Sequence, residues 1–310
     1  MMRSSLLWLS ERKSIFNFVR SNGLAKKFAS RFVAGETLAT GEAAAKELQA
    51  KGITSSLDLL GESVHAEAEA NGARDAYIAI LRGMKAAGLE VNASLKPTQM
   101  GLDIDEGLAV RNITAILEVA KETGAFVRMD MEGSAYTQRT IDFYEKQVPE
   151  GLRSHTGLVI QAALRRSTED IEHLIRIGAR VRLCKGAYME PAEVAYPVKA
   201  DVDAHYVRLM HRLLTDGNYP AIATHDEAML AEAKRFVAEK GIARDRFEFQ
   251  MLYGVRRDLQ EALVRDGYRI RVYIPFGTQW YPYLMRRLAE RPANIAFILG
   301  NVVKEGLGRS

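Results

Sequence analysis

Short runs of apolar residues alternate along the chain with longer stretches whose apolar residues recur at helical spacing. Eight such runs are rich in Val, Ile, Leu or Phe, which is typical of buried strands. They begin at Thr54, Val91, Ala125, Thr156, Ala179, Ala221, Phe247 and Tyr268. Between the runs, residues such as Ile113, Ile116 and Leu117 recur three and four positions apart and predict amphipathic helices that connect parallel strands.

A glycine stands shortly before seven of the eight predicted strands, where a connecting helix should end in a left-handed residue. These glycines are Gly52, Gly88, Gly124, Gly178, Gly217, Gly241 and Gly267. Eight strand–helix units predict an α/β protein with the (β/α)8, or TIM-like, barrel fold, which needs roughly 250 residues. An open doubly wound sheet is the alternative, but no GxGxxG motif follows any of the strands.

The beginning of the chain differs from the rest in charge. Between Met1 and Phe32 there are seven Lys or Arg residues and one acid, Glu11, interleaved with apolar side chains. We predict that residues 1–52 form an N-terminal helical extension that packs on a barrel domain formed by residues 53–310. A helix lying on an anionic membrane surface and an organellar presequence are alternatives for the basic stretch.

The composition is that of a globular protein, with 47% hydrophobic and 26% charged residues and a net charge of +4. No apolar run reaches the ~18 residues that a membrane-spanning helix needs. The expected location is therefore the cytoplasm, with a peripheral position at the inner face of the membrane as a variant. Because Cys184 is the single cysteine and the six histidines form no close pair, neither an internal disulfide nor a metal site is expected.

Polar residues stand at or near the ends of the predicted strands, and in a barrel of this type the carboxyl ends meet at one mouth. They are Glu62, Lys96, Asp130, Gln161, Arg182, Lys185, Thr224, His225, Gln250 and Tyr273. Taken singly, each could be structural; Arg182, for example, could form an ion pair with Asp130. Because all eight strands share the feature, the sequence predicts a catalytic pocket at the mouth.

The last amphipathic segment, Trp280 to Glu290, places two arginines on one helix face. Tyr283, Arg286, Arg287 and Glu290 follow the spacing i, i+3, i+4 and i+7. Two adjacent guanidinium groups suit a carboxylate or phosphate. With Lys96, Arg182 and Lys185, these arginines outnumber the acids Glu62, Asp130 and Glu290, so the pocket is predicted to attract an anion.

Six motifs together resemble the monofunctional proline dehydrogenase family. They are RFVAGET from Arg31, LDLLGE from Leu57, RLCKGAYMEP from Arg182, FEFQMLYG from Phe247, RVYIPFG from Arg271 and YLMRRLAERPAN from Tyr283. The resemblance implies a distorted (β/α)8 barrel that holds FAD over its mouth and oxidises L-proline to Δ1-pyrroline-5-carboxylate. It also implies a membrane quinone as electron acceptor, and a pyrroline-5-carboxylate dehydrogenase is a candidate partner.

The resemblance assigns the substrate site residue by residue. Lys96, Arg286 and Arg287 would bind the proline carboxylate, and Glu62 would pair with Arg286 as a gate. The residues that would wall the pyrrolidine ring are Leu252, Tyr273 and Tyr283. A tyrosine at position 273 is the form that the family uses for proline rather than hydroxyproline.

The same resemblance places Arg182 beside the flavin N5, with Asp130 completing the catalytic group. The residues that would line the cofactor are Met131, Gln161, Lys185, Gly186, Ala187, Thr224, His225, Gln250 and Glu290. Two positions depart from the family pattern. Pro97 follows Lys96 where many relatives have leucine, and Asp226 stands where some members have asparagine.

Two rival functions remain open at this point. A barrel aldolase or lyase could use Lys96 or Lys185 as a Schiff-base nucleophile, with Arg286 and Arg287 holding a substrate phosphate. A non-catalytic protein could use the basic N-terminus to bind a membrane surface or another anion. The second alternative leaves the polar strand ends without a purpose.

Overall fold

Eight parallel strands form a closed barrel in the computed structural model, which describes residues 29–61 and 64–284. Each strand pairs with the next, and the last pairs with the first. The strands are β1 Thr54–Leu59, β2 Asn92–Leu95, β3 Phe126–Met129, β4 Thr156–Gln161, β5 Arg180–Cys184, β6 Ala221–Ala223, β7 Glu248–Leu252 and β8 Ile270–Phe276. All eight predicted strands and the barrel fold are therefore confirmed, and the doubly wound alternative is wrong.

Helices connect the strands, as the helical spacing of apolar residues predicts. They are α1 Leu38–Gln49 before β1, then α2 Glu67–Ala86, α3 Glu106–Thr123, α4 Ser134–Asp142, α5 Ser167–Arg176, α6 Lys199–Asp216, α7 Glu227–Glu239 and α8 Arg257–Arg265. A π-helical turn, Phe143–Gln147, and a 3-10 helix, Glu150–His155, lie between α4 and β4. Residues 280–284, after β8, are also helical.

Local sequence signals explain where several helices begin. Asp105 precedes α3 and accepts a hydrogen bond from the Leu108 N–H at 2.7 Å, which satisfies a donor that the helix cannot pair itself. Asp226 does the same for α7, where its carboxylate accepts from the Ala228 N–H at 3.1 Å. The residue that departs from the family pattern thus has a structural role as a helix cap.

Six of the seven predicted helix-ending glycines have positive φ angles between 65° and 74°. Gly217 is the exception, because its φ is −73° and its backbone is extended. The left-handed residue lies two positions later at Tyr219, with φ 46°. The centre of the Tyr219 ring lies 4.6 Å from the Arg180 guanidinium carbon, a cation–π contact.

Apolar and polar residues alternate along the strands, and they face opposite sides of the sheet. Leu57, Leu95, Leu183 and Phe249 belong to the main hydrophobic core, together with apolar residues of the surrounding helices. The residues between them on each strand are mostly polar and buried. Ordinary barrels of this class fill their interior with Val, Ile and Leu, so the polar interior is the main departure from the expected packing.

The segment before the barrel packs directly on it. Ala44 and Ala45 of α1 belong to the main core, and the Ala34 N–H donates to the Pro275 carbonyl of β8 at 2.9 Å. Residues 1–28 lie outside the described part of the chain, so the division at residue 52 stays a prediction. Among residues 29–61 and 64–284, no helix is both long enough and apolar enough to cross a bilayer.

Candidate active site

Arg182 of β5 lies at the centre of the barrel, and each of its three nitrogen atoms donates to a different side chain. Nη1 donates to Asp130 Oδ1 at 2.7 Å, Nη2 to Ser94 Oγ at 3.0 Å and Nε to Gln250 Oε1 at 2.5 Å. The arginine is 7% exposed. Ser94 is on β2, on the other side of the barrel from β5, so these contacts cross the interior and fix the plane of the guanidinium.

Asp130 joins the arginine to a tyrosine. Its second oxygen, Oδ2, accepts a hydrogen bond from the Tyr273 hydroxyl at 2.9 Å, while Oδ1 accepts from Arg182. Burial, followed by the negative charges of Asp130 and Asp58, raises the pKa of Tyr273 well above its ordinary value. Tyr273 therefore remains a neutral hydrogen-bond donor. The ion pair between Arg182 and Asp130, which the sequence allowed as a structural role for the arginine, is present.

Lys96 immediately follows β2 and points toward a buried carboxylate. Its Nζ lies 3.6 Å from Asp58 Oδ1, and the Asp58 side chain is 1% exposed. Burial, followed by the negative charge of Asp58, raises the pKa of the buried Tyr77 well above its ordinary value, so this tyrosine stays neutral. Lys96 is thus held at the mouth by an acid on the neighbouring strand β1.

Lys185, after β5, lies between two further carboxylates. Its Nζ contacts Asp203 Oδ1 at 2.5 Å and Asp226 Oδ2 at 2.8 Å. Burial alone would raise the pKa of both acids, but their hydrogen bonds with Lys185 reverse the effect and lower it. The Lys185 side chain is 13% exposed. Its ammonium is thus already bound by two carboxylates at the edge where the cofactor is predicted to lie.

The predicted excess of positive charge is not present in the described part of the mouth. Lys96, Arg182 and Lys185 face four carboxylates: Asp58, Asp130, Asp203 and Asp226. The prediction counted Glu62, Asp130 and Glu290. It omitted Asp58, which lies inside β1, Asp203, which lies on α6, and Asp226, which caps α7. Any positive excess must come from Arg286 and Arg287, which lie outside the described residues, as do Glu62 and Glu290.

Leu252 and Tyr273 are neighbours, as the predicted substrate wall requires. They pair directly in the register of β7 and β8 and therefore share one face of the sheet. The Leu252 N–H donates to His225 Nε2 at 2.8 Å, so that nitrogen must be an acceptor. Tyr283 is buried in a smaller apolar cluster with Leu60, Trp280 and Leu284.

The remaining predicted cofactor residues lie around the ends of β3 to β6. Gln161 Nε2 donates to the Glu132 carbonyl at 2.8 Å, and Thr224 Oγ1 accepts from the Asp226 N–H at 3.1 Å. Met131 is buried in the main core, whereas Ala187 is half-buried in the loop after β5.

Gly186 in that loop has a φ of 108°, which favours glycine. A Cβ atom there would lie 3.1 Å from Gln161 Oε1 and 3.2 Å from the Ala163 Cβ. The loop backbone therefore lies close against Gln161 and Ala163, and a side chain at position 186 would require these neighbours to shift by a few tenths of an ångström.

The sequence profile described as "Proline dehydrogenase" matches residues 42–299, which is most of the chain. The chain belongs to the proline dehydrogenase family. It is 42% identical over 307 residues to proline dehydrogenase 1 of Bacillus subtilis, covering 98% of this chain and all of the relative. It is 41% identical to the proline dehydrogenase of Deinococcus radiodurans, covering 97% and 98% of the two chains.

Solved structures agree with this membership of the proline dehydrogenase family. The chain is similar to proline utilization A from Bdellovibrio bacteriovorus, with a TM-score of 0.80 and 26% identity over 92% of this chain and 37% of that one. Proline dehydrogenases are oxidoreductases that generally depend on FAD. These comparisons therefore favour the oxidoreductase over the Schiff-base aldolase, and the two candidate nucleophiles, Lys96 and Lys185, are both engaged with carboxylates.

The described residues fit a flavin in three respects, as a proline dehydrogenase requires. Arg182 places a fixed positive charge at the mouth, and Gly186 presents backbone without a side chain. Tyr188 and Met189, next in the same loop, are 47% and 75% exposed and provide an apolar surface. A cation, an open backbone and an apolar surface suit the polar and planar parts of FAD.

Sequence reasoning missed four residues that touch the predicted site of this dehydrogenase. They are Asp58, Ser94, Asp203 and Glu248. A signal for two of them was present, because Ser94 stands two positions before Lys96 and Glu248 two positions before Gln250. Residues two apart on a strand face the same side, so reading backwards from each strand end would have found them.

Proposed function

We propose that the protein is an FAD-dependent proline dehydrogenase that oxidises L-proline to Δ1-pyrroline-5-carboxylate, the first step of proline breakdown to glutamate. The geometry that best supports this function is the arrangement of Arg182, which is held by Asp130, Ser94 and Gln250 at the barrel mouth. A buried arginine whose every nitrogen is fixed can present charge to a ring system without first reorganising. The match to the proline dehydrogenase family indicates L-proline as the substrate.

In this proposal the chain's main task is to orient the substrate. Lys96, Arg286 and Arg287 bind the proline carboxylate, and Leu252, Tyr273 and Tyr283 form the apolar wall around its ring. Holding both ends places the reacting carbon in one position, which is a large part of what such an enzyme supplies. Glu62 acts as the gate by pairing with Arg286.

The cofactor would be held by residues of the loop after β5 and by the ends of the neighbouring strands. They are Met131, Gln161, Lys185, Gly186, Ala187, Thr224, His225, Gln250 and Glu290. When bound, FAD supplies the hydride-accepting chemistry. Arg182 supplies a fixed positive charge beside it, and Asp130 keeps that arginine in place. Lys185 is poised at the edge by Asp203 and Asp226.

The electron acceptor after FAD is proposed to be a membrane quinone. The basic stretch between Met1 and Phe32 would favour docking on an anionic membrane surface from the cytoplasmic side. A pyrroline-5-carboxylate dehydrogenase is proposed as the enzyme that consumes the product.

The decisive test is the visible spectrum of the purified protein before and after anaerobic addition of L-proline. A yellow protein whose flavin absorbance bleaches with L-proline would support the cofactor, the substrate and the reaction class together. D-Proline serves as the matched control and should bleach it far more slowly. A colourless protein that traps a substrate with borohydride would instead support the aldolase.

Activity should rise with pH. The substrate nitrogen must lose its proton before a hydride leaves the adjacent carbon, so kcat/KM for L-proline should increase between about pH 6 and about pH 9. Because the pKa of Tyr273 is raised well above its ordinary value, its hydrogen bond to Asp130 persists across this range. A Tyr273→Phe enzyme should therefore keep the same rise. A flat profile in the unmodified enzyme would contradict the deprotonation step.

Replacing Arg287 with alanine should weaken proline binding and leave the flavin in place. A charge-assisted hydrogen bond contributes about 1.5–3 kcal/mol, so KM for L-proline should rise roughly 10- to 100-fold. Steady-state kinetics and the flavin content of the purified protein measure the two effects. Arg265→Ala, at an exposed position of α8, is the control and should change neither. An unchanged KM in Arg287→Ala would remove that arginine from the carboxylate site.

A further inference from the structure

A continuous series of polar contacts runs through the barrel beneath Arg182. Arg182 Nε donates to Gln250 Oε1, and Gln250 Nε2 donates to Glu248 Oε1, both at 2.5 Å. Glu248 accepts two hydrogen bonds from Arg271, with Nε to Oε1 at 2.9 Å and Nη2 to Oε2 at 3.0 Å. Arg271 also contacts Glu90, which is exposed at the opposite end of the barrel. The series thus joins the mouth to the base of the fold.

Two alanines on the intervening strand make room for these contacts. Strand β6 lies between β5 and β7, and Ala221 pairs with Arg182 on one side and Glu248 on the other. Ala223 pairs with Gln250. Paired residues share one face of the sheet, so the long side chains of β5 and β7 meet over small methyl groups.

The two neighbours of Gln250 agree on the orientation of its amide. Arg182 can only donate, so it requires the amide oxygen, while an ionised Glu248 can only accept and requires the amide nitrogen. Burial raises the pKa of Glu248, but the charge and hydrogen bonds of Arg271 bring it down to about 2. Glu248 is therefore ionised in any enzyme assay. If the amide of Gln250 were reversed, its nitrogen would face the Arg182 donor and its oxygen would face the Glu248 carboxylate, and neither pair could form a hydrogen bond.

We propose that Glu248 is a positioning residue for Arg182: by fixing the amide of Gln250, it holds the guanidinium plane in the orientation that the flavin requires. The inference rests on the proposed function of Arg182. Asp130 and Ser94 hold Nη1 and Nη2 of Arg182. Loss of the Gln250 contact releases Nε, so the guanidinium plane can rotate about the line that joins Nη1 and Nη2. Glu248 touches neither substrate nor cofactor in this role.

The test compares Glu248→Gln and Gln250→Met in the flavin-loaded enzyme. Glutamine keeps the size of Glu248 but lets the two amides pair in either orientation, and methionine removes both bonds of Gln250 at similar volume. Each variant should lower kcat about 10- to 100-fold, the loss that a small misplacement of a catalytic group produces. KM for L-proline should stay close to that of the unmodified enzyme, and the flavin midpoint potential should become more negative.

The double variant separates positioning from a general effect of charge. If Glu248 acts through Gln250, the variant carrying both changes should match Gln250→Met alone in kcat and in midpoint potential. If the losses in kcat of the two single variants multiply in the double variant, or if their shifts in midpoint potential add, Glu248 acts independently of Gln250 and the proposal is overturned.

Two further variants guard against misfolding. Leu117→Ala, on the buried face of α3, destabilises the fold without touching the polar series and should keep the normal potential; an equal shift there would overturn the proposal. Ala223→Val should separate Arg182 from Gln250 while leaving Glu248 intact, and it replaces Glu248→Gln if that variant does not fold. Unmodified protein that fails to bleach with L-proline refutes the proposed function, whereas normal bleaching with unshifted potentials in Glu248→Gln, Gln250→Met and Ala223→Val refutes this inference alone.

Discussion

Replacing Arg182 with methionine is expected to reduce kcat for L-proline by about 10²- to 10³-fold, the loss that follows removal of one preorganised electrostatic donor. Methionine preserves much of the length and fills the space, but it carries neither the charge nor the three donors. The flavin midpoint potential should become more negative, because the positive charge that stabilises the reduced form is gone. Rapid-mixing measurements of flavin bleaching and a spectroelectrochemical titration measure the two effects.

The loss extends to the groups that Arg182 holds. Asp130 and Gln250 would each lose a hydrogen bond, since Arg182 donates to both. Removing one partner from a buried ion pair costs roughly 3–5 kcal/mol. That range is an upper bound here, because the Asp130 side chain is 14% exposed at the mouth. The variant should therefore also unfold at a lower temperature.

Arg182→Lys separates charge from geometry. Lysine keeps the positive charge but replaces a planar fork by a single ammonium, which cannot reach three acceptors in different directions. The potential should then be largely restored while kcat stays low. Arg212→Met removes an arginine from a partly exposed ion pair with Glu172, far from the mouth in sequence and contacts, and should leave both values unchanged. An unshifted potential in Arg182→Met would contradict the placement of this arginine beside the flavin.

The fold could be predicted because its signals are local and repeated. Apolar runs of strand length and glycines such as Gly124 and Gly178 each report on a few neighbouring residues. Because the strand–helix unit recurs eight times, a closed eight-stranded barrel is the simplest fold that accommodates all of the units. Gly217 shows the limit of the method, because its backbone is extended and the left-handed residue is Tyr219, whose ring lies against the distant Arg180. Such contacts between distant residues leave no pattern in the local sequence.

The site was only partly predictable, because only one or two polar residues were taken from each strand. That reading found Lys96, Arg182 and Gln250. The residue two positions earlier on each of these strands faces the same way, and in all three cases it is polar: Ser94, Arg180 and Glu248. This alternation signals a barrel filled with hydrogen-bonded groups rather than with aliphatic side chains.

The partners of the cations could not be found by counting strand ends. Asp203 reaches Lys185 from α6, eighteen residues further along the chain, and Asp58 reaches Lys96 from a neighbouring strand. Both pairings depend on how elements are placed in space. The consequence is physical: each described cation of the mouth already contacts a carboxylate, so a substrate carboxylate that binds Lys96 must compete with Asp58 for its ammonium.

Replacing Asp130 with alanine is the second change expected to have a large effect. Asp130 accepts from Arg182 with one oxygen and from Tyr273 with the other, so alanine releases both side chains. Two charge-assisted hydrogen bonds are lost, at roughly 1.5–3 kcal/mol each, and water that enters the site replaces part of this energy. We therefore expect kcat/KM to fall by about 10²- to 10³-fold. Dye-linked steady-state assays measure it.

Two milder variants identify the route by which Asp130 acts. Asp130→Asn retains an oxygen for Arg182 and should fall between alanine and the unmodified enzyme. Tyr273→Phe keeps the ring beside Leu252 and loses only the hydroxyl, which should cost no more than about 10-fold. Because Tyr273 and Asp130 share one hydrogen bond, adding Tyr273→Phe to Asp130→Ala should lower activity little further. If the two losses multiply instead, the Tyr273 hydroxyl acts on the substrate independently, and Asp130 serves Arg182 alone.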